Sequence, residues 1–315
     1  MTADERYMAR ALQLARQGEG HVSPNPMVGA VIVARGRIIG EGFHRRYGEG
    51  HAEVNAIASV APADAPLLHE STVYVTLEPC SHYGKTPPCA RLLIERGVRR
   101  VVVGTLDPFE KVAGRGVAML REAGIEVLTG VLERECRHLN IRFITAHTRH
   151  RPWVMLKWAQ DANGYMGDGE PRVTFSTPET LRLMHRERSR VDAIMVGART
   201  VALDNPSLDT RYWSGRSPLR VVLDEHLSIM HIQPAPKLLT DGRPTLVYNA
   251  IRSDTSGAVE FVRLDNCHDL DAILADLYSR GITSLMVEGG PTVLRAFIDA
   301  NLDDRRRIET AHAQS

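Results

Sequence analysis

The sequence predicts an α/β protein made of two successive domains. Each half of the 315-residue chain alternates apolar runs of strand length with amphipathic stretches of helical length, a pattern typical of layered α/β domains. A chain of this length fits two domains, each with its own core. Residues 147–152 are basic and lack apolar periodicity, so we interpret them as a solvated linker. We therefore expect domains at residues 1–147 and 151–315.

The first half starts with a helix, because Thr2 and Glu5 have the spacing of a capping box. Two apolar runs, Val28–Ala34 and Arg37–Phe43, flank Arg35-Gly36 and predict a hairpin. Alternating elements follow: helices at 52–60, 88–96 and 115–122, and strands at 72–77, 101–104 and 125–129.

The second half continues this alternation without an internal repeat. Its predicted strands cover 153–160, 193–197, 219–224, 245–248, 259–264 and 284–287, and its helices 178–189, 270–280 and 292–300. No Gly-x-Gly-x-x-Gly occurs. Gly289 and Gly290 stand between a strand and a helix that opens with Pro291. Such a segment is typical of a tight turn, although its backbone amides also suit a phosphate.

Composition excludes several classes of protein. With 43% hydrophobic and 24% charged residues, the chain is typical of globular proteins. The net charge of +1 gives no footprint for a long nucleic acid. No apolar run approaches the roughly 20 residues of a membrane span, and Thr2–Gly18 lacks signal-peptide character. Four cysteines predict a reducing, cytoplasmic setting, with Cys136 and Cys267 as small apolar residues rather than disulfide partners.

One imidazole and two thiols predict a metal site: His51, Cys80 and Cys89. Zinc binds such donors tetrahedrally, and three protein ligands leave a fourth position for water, whose pKa falls to about 7 on the metal. Glu53, two residues after His51, suits the non-ligand acid/base of zinc deaminases. The alternatives are a closed structural zinc site and a capping histidine beside buried thiols. His51 and Cys89 both begin predicted helices, whose N-termini favour negative charge.

Three motifs together resemble one family, the bifunctional deaminase–reductases of bacterial riboflavin biosynthesis. They are Ser23–Val33, Gly48–Glu53 and Thr76–Cys89, whose cysteines are separated by eight residues. The resemblance extends from about Tyr7 to about Thr310. It implies a cytidine-deaminase-like α/β domain that binds zinc, followed by a dihydrofolate-reductase-like α/β domain that uses NADPH.

In the first domain, the resemblance implies hydrolytic deamination of a diaminopyrimidinone that carries a ribosylamino 5′-phosphate. Glu53 would move protons, and Asn25 would hold the ring or the ribose. His82 and Lys85 are candidate contacts to the phosphate or the ring, and a solvated loop is the alternative.

In the second domain, the resemblance implies NADPH-dependent reduction of the product's ribose to a ribityl chain. The implied cofactor residues are Lys157, Thr174, Gly197, Thr200, Asp204, Gly289 and Gly290. The implied substrate residues are Arg188, Leu208, Arg211 and Glu288, and a surface ion pair is the alternative for Arg211. Guanidinium forks suit a ribose phosphate.

The chain also departs from the family. Asp161–Gly167 replaces the usual Ser-Leu-Asp-Gly-Arg-like run, and Thr174 stands where a tryptophan is usual. Members normally continue for several tens of residues beyond the position of Ser315, so we expect a reductase domain that is short at its C-terminus.

Two other functions remain open from the residues. One is a nucleoside, nucleotide or tRNA-base deaminase with a non-catalytic second domain, against which the long cysteine loop and the near-zero net charge argue. The other is a zinc-containing binding protein without turnover, against which Glu53 argues. We expect a cytoplasmic homo-oligomer, a dimer or a tetramer, with a small-molecule substrate and no nucleic-acid or membrane partner.

Overall fold

The computed structural model describes residues 1–82, 87–108, 113–166 and 177–310. The chain divides into two compact units, Met1–Arg149 and His150–Ser315, and each unit builds its own sheet with helices. The predicted α/β fold class is therefore confirmed. Within the described ranges, no helix is both long and apolar enough to span a membrane.

The first unit has a five-stranded sheet in the order β2-β1-β3-β4-β5. Its strands are β1 (Gly29–Ala34), β2 (Arg37–Phe43), β3 (Thr72–Leu77), β4 (Arg100–Thr105) and β5 (Glu126–Thr129). β1 runs antiparallel to β2 and β3, whereas β3, β4 and β5 are parallel. The predicted hairpin is confirmed, and its two turn residues, Arg35 and Gly36, both have positive φ. The carboxyl ends of β3 and β4 thus lie side by side.

Among the described residues of the first unit, six α-helices accompany this sheet. They are α1 (Ala3–Ala15), α2 (Ala52–Ala58), α3 (Cys89–Glu95), α4 (Arg115–Glu122), α5 (Glu133–Leu139) and α6 (Ile141–Arg149). The capping box of α1 is confirmed, because the Glu5 backbone N–H donates to Thr2 Oγ1 at 3.1 Å while the Glu5 carboxylate accepts from the Thr2 N–H. Short 3₁₀ turns cover Arg16–Gly18 and Pro62–Glu70.

The interpretation of residues 147–152 as a solvated linker is only partly right, because residues 148–150 are exposed whereas residues 151 and 152 are buried. Residues 147–149 are the last turn of α6, which packs Ile144 into the first unit. Arg151 is buried in the second unit and makes two hydrogen bonds to the Asp304 carboxylate, at 2.6 and 3.0 Å. The charge of Arg151 is therefore partnered, as a buried guanidinium requires.

The second unit has an eight-stranded sheet in the order β10-β11-β9-β8-β7-β12-β6-β13. Its strands are β6 (Trp153–Gln160), β7 (Ala193–Gly197), β8 (Leu219–Leu223), β9 (Thr245–Asn249), β10 (Asp254–Ser256), β11 (Val259–Arg263), β12 (Ser284–Val287) and β13 (Arg305–Thr310). All neighbours are parallel except β10 and β11. The central strands are buried on both faces, as in parallel sheets covered by helices.

Helices of the second unit are α7 (Pro178–Arg188), α8 (Ala198–Asp204), α9 (Lys237–Thr240), α10 (Leu270–Ser279) and α11 (Pro291–Asp299). The strands and helices predicted from the sequence lie within two residues of those observed. The sequence did not predict α5, α6, α8, α9, β10 or β13. Cys136 and Cys267 are free and buried, as predicted.

Candidate active site

The three predicted metal ligands meet at one point in the first unit. His51 is the N-cap of α2, Cys89 is the first residue of α3, and Cys80 follows β3 by three residues. Their ligand atoms all lie within 4.8 Å of one another. His51 Nδ1 is 3.6 Å from Cys80 Sγ and 3.3 Å from Cys89 Sγ. Among the described residues, this group has no fourth member.

This donor set fits zinc, because one imidazole nitrogen and two sulfurs converge on a volume that a single ion can fill. The Cys89 backbone N–H donates to Cys80 Sγ at 3.2 Å, which holds the two sulfurs together. A hydrogen bond from Cys89 lowers the pKa of the Cys80 thiol, whereas the same bond and burial raise the pKa of Cys89. One thiolate is thus favoured before any metal binds, and the thiolate is the form that ligates.

Glu53 lies in the first turn of α2 and is only 3% exposed. Burial raises its pKa to about 7, and the negative charge of Cys80 adds to the effect. A carboxyl group with such a pKa can both take up and release a proton near neutral pH. The predicted acid/base residue is therefore adjacent to the candidate metal centre and has suitable electrostatics.

His51, Glu53 and Cys80 line a cavity of about 270 Å³ at the carboxyl ends of β3 and β4. Asn25 and His82, both predicted from the sequence, also line it. Asn25 Nδ2 lies 3.2 Å from His44 Nε2, and His44 Nδ1 lies 3.2 Å from the Gly50 carbonyl oxygen. Lys85 lies outside the described residues.

Four cavity residues lie outside the three sequence motifs and were not predicted: His44, Asp107, Phe143 and His147. Burial lowers the pKa of His44, although the Gly50 carbonyl opposes this, so the ring that faces Asn25 is neutral at pH 7. Phe143 and His147 are one turn apart on α6, with ring centroids 4.4 Å apart. The four-residue spacing of two rings was the available signal, but the basic residues beside it led to the linker interpretation.

Glu78 joins the Cys80 loop to the segment after β4. Its Oε2 accepts from the backbone N–H groups of Asp107 and Gly114, at 3.2 and 2.9 Å. Its Oε1 accepts from Gly116 and Val117, at 2.9 and 3.1 Å. One buried carboxylate thus occupies the N-terminus of α4, where negative charge is stabilised, and places Asp107 at the cavity.

In the second unit, two predicted substrate residues form a largely buried ion pair, with side chains 14% and 11% exposed. Arg188 Nε and Nη2 donate to the two Glu288 oxygens at 2.8 and 2.6 Å. Burial alone would raise the pKa of Glu288, but the Arg188 charge holds it below its usual range. Arg188 Nη1 also donates to the Asp209 carbonyl oxygen at 3.1 Å. These groups share the carboxyl-end side of β12, because Glu288 directly follows that strand.

The other predicted substrate residues have different environments. Arg211 donates to Asp209 Oδ1 at 2.6 Å, and half of its side chain is exposed, so the ion-pair alternative describes its present contact. Leu208 has a positive φ and a side chain packed in the core. A substrate at Leu208 would therefore meet its backbone.

Most of the predicted cofactor residues lie together at the ends of β7 and β12. The Gly197 N–H donates to the Gly289 carbonyl oxygen at 3.0 Å. A Cβ at Gly290 would lie 3.2 Å from Thr200 Oγ1, and one at Gly197 would lie 3.0 Å from Val293. Gly197 and Gly290 thus form a cradle of glycine backbone at the N-termini of α8 and α11. Backbone N–H groups at helix N-termini bind anions, so this cradle fits a dinucleotide phosphate.

The remaining three predicted cofactor residues are more dispersed. Lys157 lies on β6, and its Nζ is 3.5 Å from Glu309 Oε2. Asp204 is exposed at the last residue of α8. Thr174 lies outside the described residues.

Comparisons with known proteins cover nearly the whole chain. The family model for the cytidine and deoxycytidylate deaminase zinc-binding region matches residues 1–105, and that for the RibD C-terminal domain matches residues 152–311. The chain is 41% identical to riboflavin biosynthesis protein RibD of Bacillus amyloliquefaciens, over 96% of this chain and 82% of the relative. It is 37% identical to RibD of Escherichia coli, over 96% and 85%.

Solved structures give the same result. A diaminohydroxyphosphoribosylaminopyrimidine deaminase/5-amino-6-(5-phosphoribosylamino)uracil reductase from Thermotoga maritima matches with a TM-score of 0.86 and 41% identity, over 95% of this chain and 84% of that chain. RibD of Acinetobacter baumannii matches with a TM-score of 0.84 and 31% identity, over 99% and 88%. The predicted order of a cytidine-deaminase-like and a reductase domain, with zinc and NADPH as cofactors, is confirmed. The chain belongs to the RibD family, the bifunctional deaminase–reductases of riboflavin biosynthesis.

Proposed function

We propose that residues 1–147 deaminate 2,5-diamino-6-(5-phosphoribosylamino)pyrimidin-4-one and that residues 151–315 then reduce the ribosyl chain of 5-amino-6-(5-phosphoribosylamino)uracil with NADPH. The observation that carries the first step is the convergence of His51, Cys80 and Cys89 beside buried Glu53. The second step is supported by the glycine cradle at Gly197 and Gly290 and by the Arg188–Glu288 pair.

In the first step, His51, Cys80 and Cys89 would hold zinc, which would supply an activated water at neutral pH. Glu53 is the residue that would move protons between this water and the departing amine. Burial raises the pKa of its carboxyl group, which favours uptake of a proton. Asn25 Nδ2 and His44 Nε2 are 3.2 Å apart, and we propose that these two side chains hold the ring or the ribose. Ammonia leaves, and a ring carbonyl takes the place of the amine.

His82, which lines the same cavity, and Lys85 are proposed contacts to the ring or phosphate. The cavity volume of about 270 Å³ accommodates a single pyrimidine ring with part of its sugar.

In the second step, NADPH would supply the hydride that reduces the ribosyl chain. Gly197, Thr200, Gly289 and Gly290 cradle the cofactor, with Lys157, Thr174 and Asp204 as further proposed contacts. Arg188, Arg211, Glu288 and the Leu208 backbone bind the substrate. Bidentate guanidinium groups suit its phosphate, and Glu288 holds Arg188 in place through two short hydrogen bonds.

We further propose that the protein works in the cytoplasm as a homo-oligomer, a dimer or a tetramer. Four free cysteines support a reducing compartment. Size-exclusion chromatography with light scattering measures the mass in solution, and a monomeric mass would contradict this part of the proposal.

The experiment that tests the function follows the mass of the pyrimidine phosphate with and without NADPH. Without NADPH, we expect a single change, the exchange of an amine for an oxygen. With NADPH, a second change corresponds to the addition of two hydrogens. A protein that converts cytidine nucleotides but not this substrate would overturn the proposal.

A further inference from the structure

Asn140 lies between α5 and α6, is 2% exposed, and contacts a segment far away in sequence. Its Oδ1 accepts from the Met27 backbone N–H at 2.8 Å, and its Nδ2 donates to the Met27 carbonyl oxygen at 2.9 Å. The side chain therefore pairs with both polar groups of one residue. A carboxylate of the same shape could make only the first of these bonds.

The two segments that Asn140 joins both contribute residues to the deaminase cavity lining. Met27 directly follows Asn25 and Pro26, which line the cavity. On the other side, the Asn140 carbonyl oxygen accepts from the Ile144 N–H at 2.9 Å in the first turn of α6. That helix presents Phe143 and His147 to the same cavity.

None of the proposed metal ligands lies on either segment, nor does Glu53, the proposed acid/base residue. His51 and Glu53 belong to the start of α2, and Cys89 to the start of α3. A change at Asn140 would therefore shift the Asn25 segment relative to the α6 rings and leave the reacting groups in place. The predicted effect is on substrate binding more than on the chemical step.

We propose that Asn140 is a positioning residue of the deaminase site, which sets the Asn25 segment against Phe143 and His147 so that both contact the pyrimidine ribose phosphate. This inference rests on the proposed function of the first unit. It adds α6, at the end of that unit, to the parts of the chain that determine substrate affinity.

The test compares Asn140→Asp and Asn140→Ala with wild type in the full chain, well below the unfolding temperature. Asn249→Asp is the matched control, because Asn249 is also fully buried and binds backbone groups of Ile251 and Arg252, but in the second unit. Deamination without NADPH, zinc content and thermal unfolding are measured for each. We expect the KM of both Asn140 variants to rise roughly tenfold or more with kcat and zinc largely kept, which is the signature of lost binding. The control should keep the wild-type KM.

Lower thermal stability with an unchanged KM would overturn the proposal, because a purely structural residue behaves in that way. A loss of kcat at constant KM would overturn it too. If the Asn140 variants fail to fold, Phe143→Leu and His147→Gln test the same wall, and an unchanged KM in both would be contrary to the proposal.

Hydrogen exchange separates this inference from the proposed function. In Asn140→Asp, backbone amides of residues 27–29 and 141–147 should exchange faster, while those around Cys80 should not change. If wild type does not deaminate the pyrimidine phosphate, the proposed function is wrong, and exchange then decides the positioning claim: unchanged exchange in either segment overturns it.

Discussion

Replacement of Glu53 by glutamine tests the chemistry of the first site most sharply. The amide has the shape of the carboxylate but cannot take up or deliver a proton. Because Glu53 is 3% exposed and lies beside the ligand cluster without belonging to it, we expect Glu53→Gln to keep about one zinc per chain. General acid–base catalysis contributes roughly 10²–10⁴-fold, so the barrier should rise by about 3–5 kcal/mol.

The pH profile gives an independent check. Burial raises the pKa of Glu53 to about 7 in the metal-free site, and a bound dication lowers the pKa of a nearby carboxyl. Because Glu53 must be deprotonated to accept the first proton, the wild-type rate should fall as the pH drops through this pKa, which lies below 7 with zinc bound. The acidic limb should be absent from the residual activity of Glu53→Gln.

The assay is deamination of the pyrimidine phosphate without NADPH, with zinc measured by mass spectrometry on the same preparations. Glu95→Gln is the matched control, because this α3 carboxylate is 56% exposed and pairs with Arg91, so its rate should equal that of wild type. Loss of zinc in Glu53→Gln, or deamination at the wild-type rate, would refute the reasoning.

Three further variants test other parts of the structure. Glu78→Gln replaces the acceptor of four backbone N–H groups. We expect the free energy of unfolding to fall by about 1–3 kcal/mol and kcat/KM for deamination to fall as well. Unchanged values would contradict the proposal that Glu78 anchors the loop. Gly116→Ala places a Cβ against the Pro79 carbonyl oxygen, so zinc should bind more weakly in a competitive chelator titration, and wild-type affinity would argue against this contact. Asp241→Asn weakens the charge pairing of buried Arg220. Urea unfolding should show a free energy of unfolding that is roughly 2 kcal/mol lower. This value is below that for fully buried pairs, because the Asp241 side chain is 23% exposed.

The Asp241 variant also has a defined pH dependence. Hydrogen bonds from Arg220 lower the pKa of Asp241 from its ordinary 3.8 to about 2. A depressed carboxyl pKa contributes stability that is fully present above the ordinary value and is lost as pH falls through the lowered one. The stability difference between wild type and Asp241→Asn should therefore be constant above about pH 5 and shrink towards pH 2. A difference that grows on acidification would contradict the pairing.

The sequence predicted the elements that carry the metal ligands because local signals coincided there. His51 and Cys89 stand at helix starts, and the strand before Cys80 is mostly apolar and is buried at every position after Thr72. Short-range spacing is sufficient when each ligand is placed by the start of its own helix or the end of its own strand.

The part of the cavity lining that α6 contributes, Phe143 and His147, could not be predicted in the same way. The N-cap of α5 is Leu132 in a left-handed conformation, without a side-chain cap, so the usual helix-start signal is missing. The pairing of Asn140 with Met27 joins residues 113 positions apart, which no local pattern reveals. The sequence of β13 begins with three arginines, Arg305–Arg307, and lacks the apolar alternation expected of a strand. The strand could therefore not be predicted from the sequence pattern.

The central claim is that one chain carries two separate sites for consecutive steps. The most direct measurement supplies Glu53→Gln with NADPH and either the diamino pyrimidine phosphate or its deaminated product, and follows NADPH oxidation by absorbance. We predict oxidation at the wild-type rate with the deaminated product and almost none with the diamino compound. Equal rates with both compounds, or no oxidation with either, would contradict the assignment of the two steps to two sites.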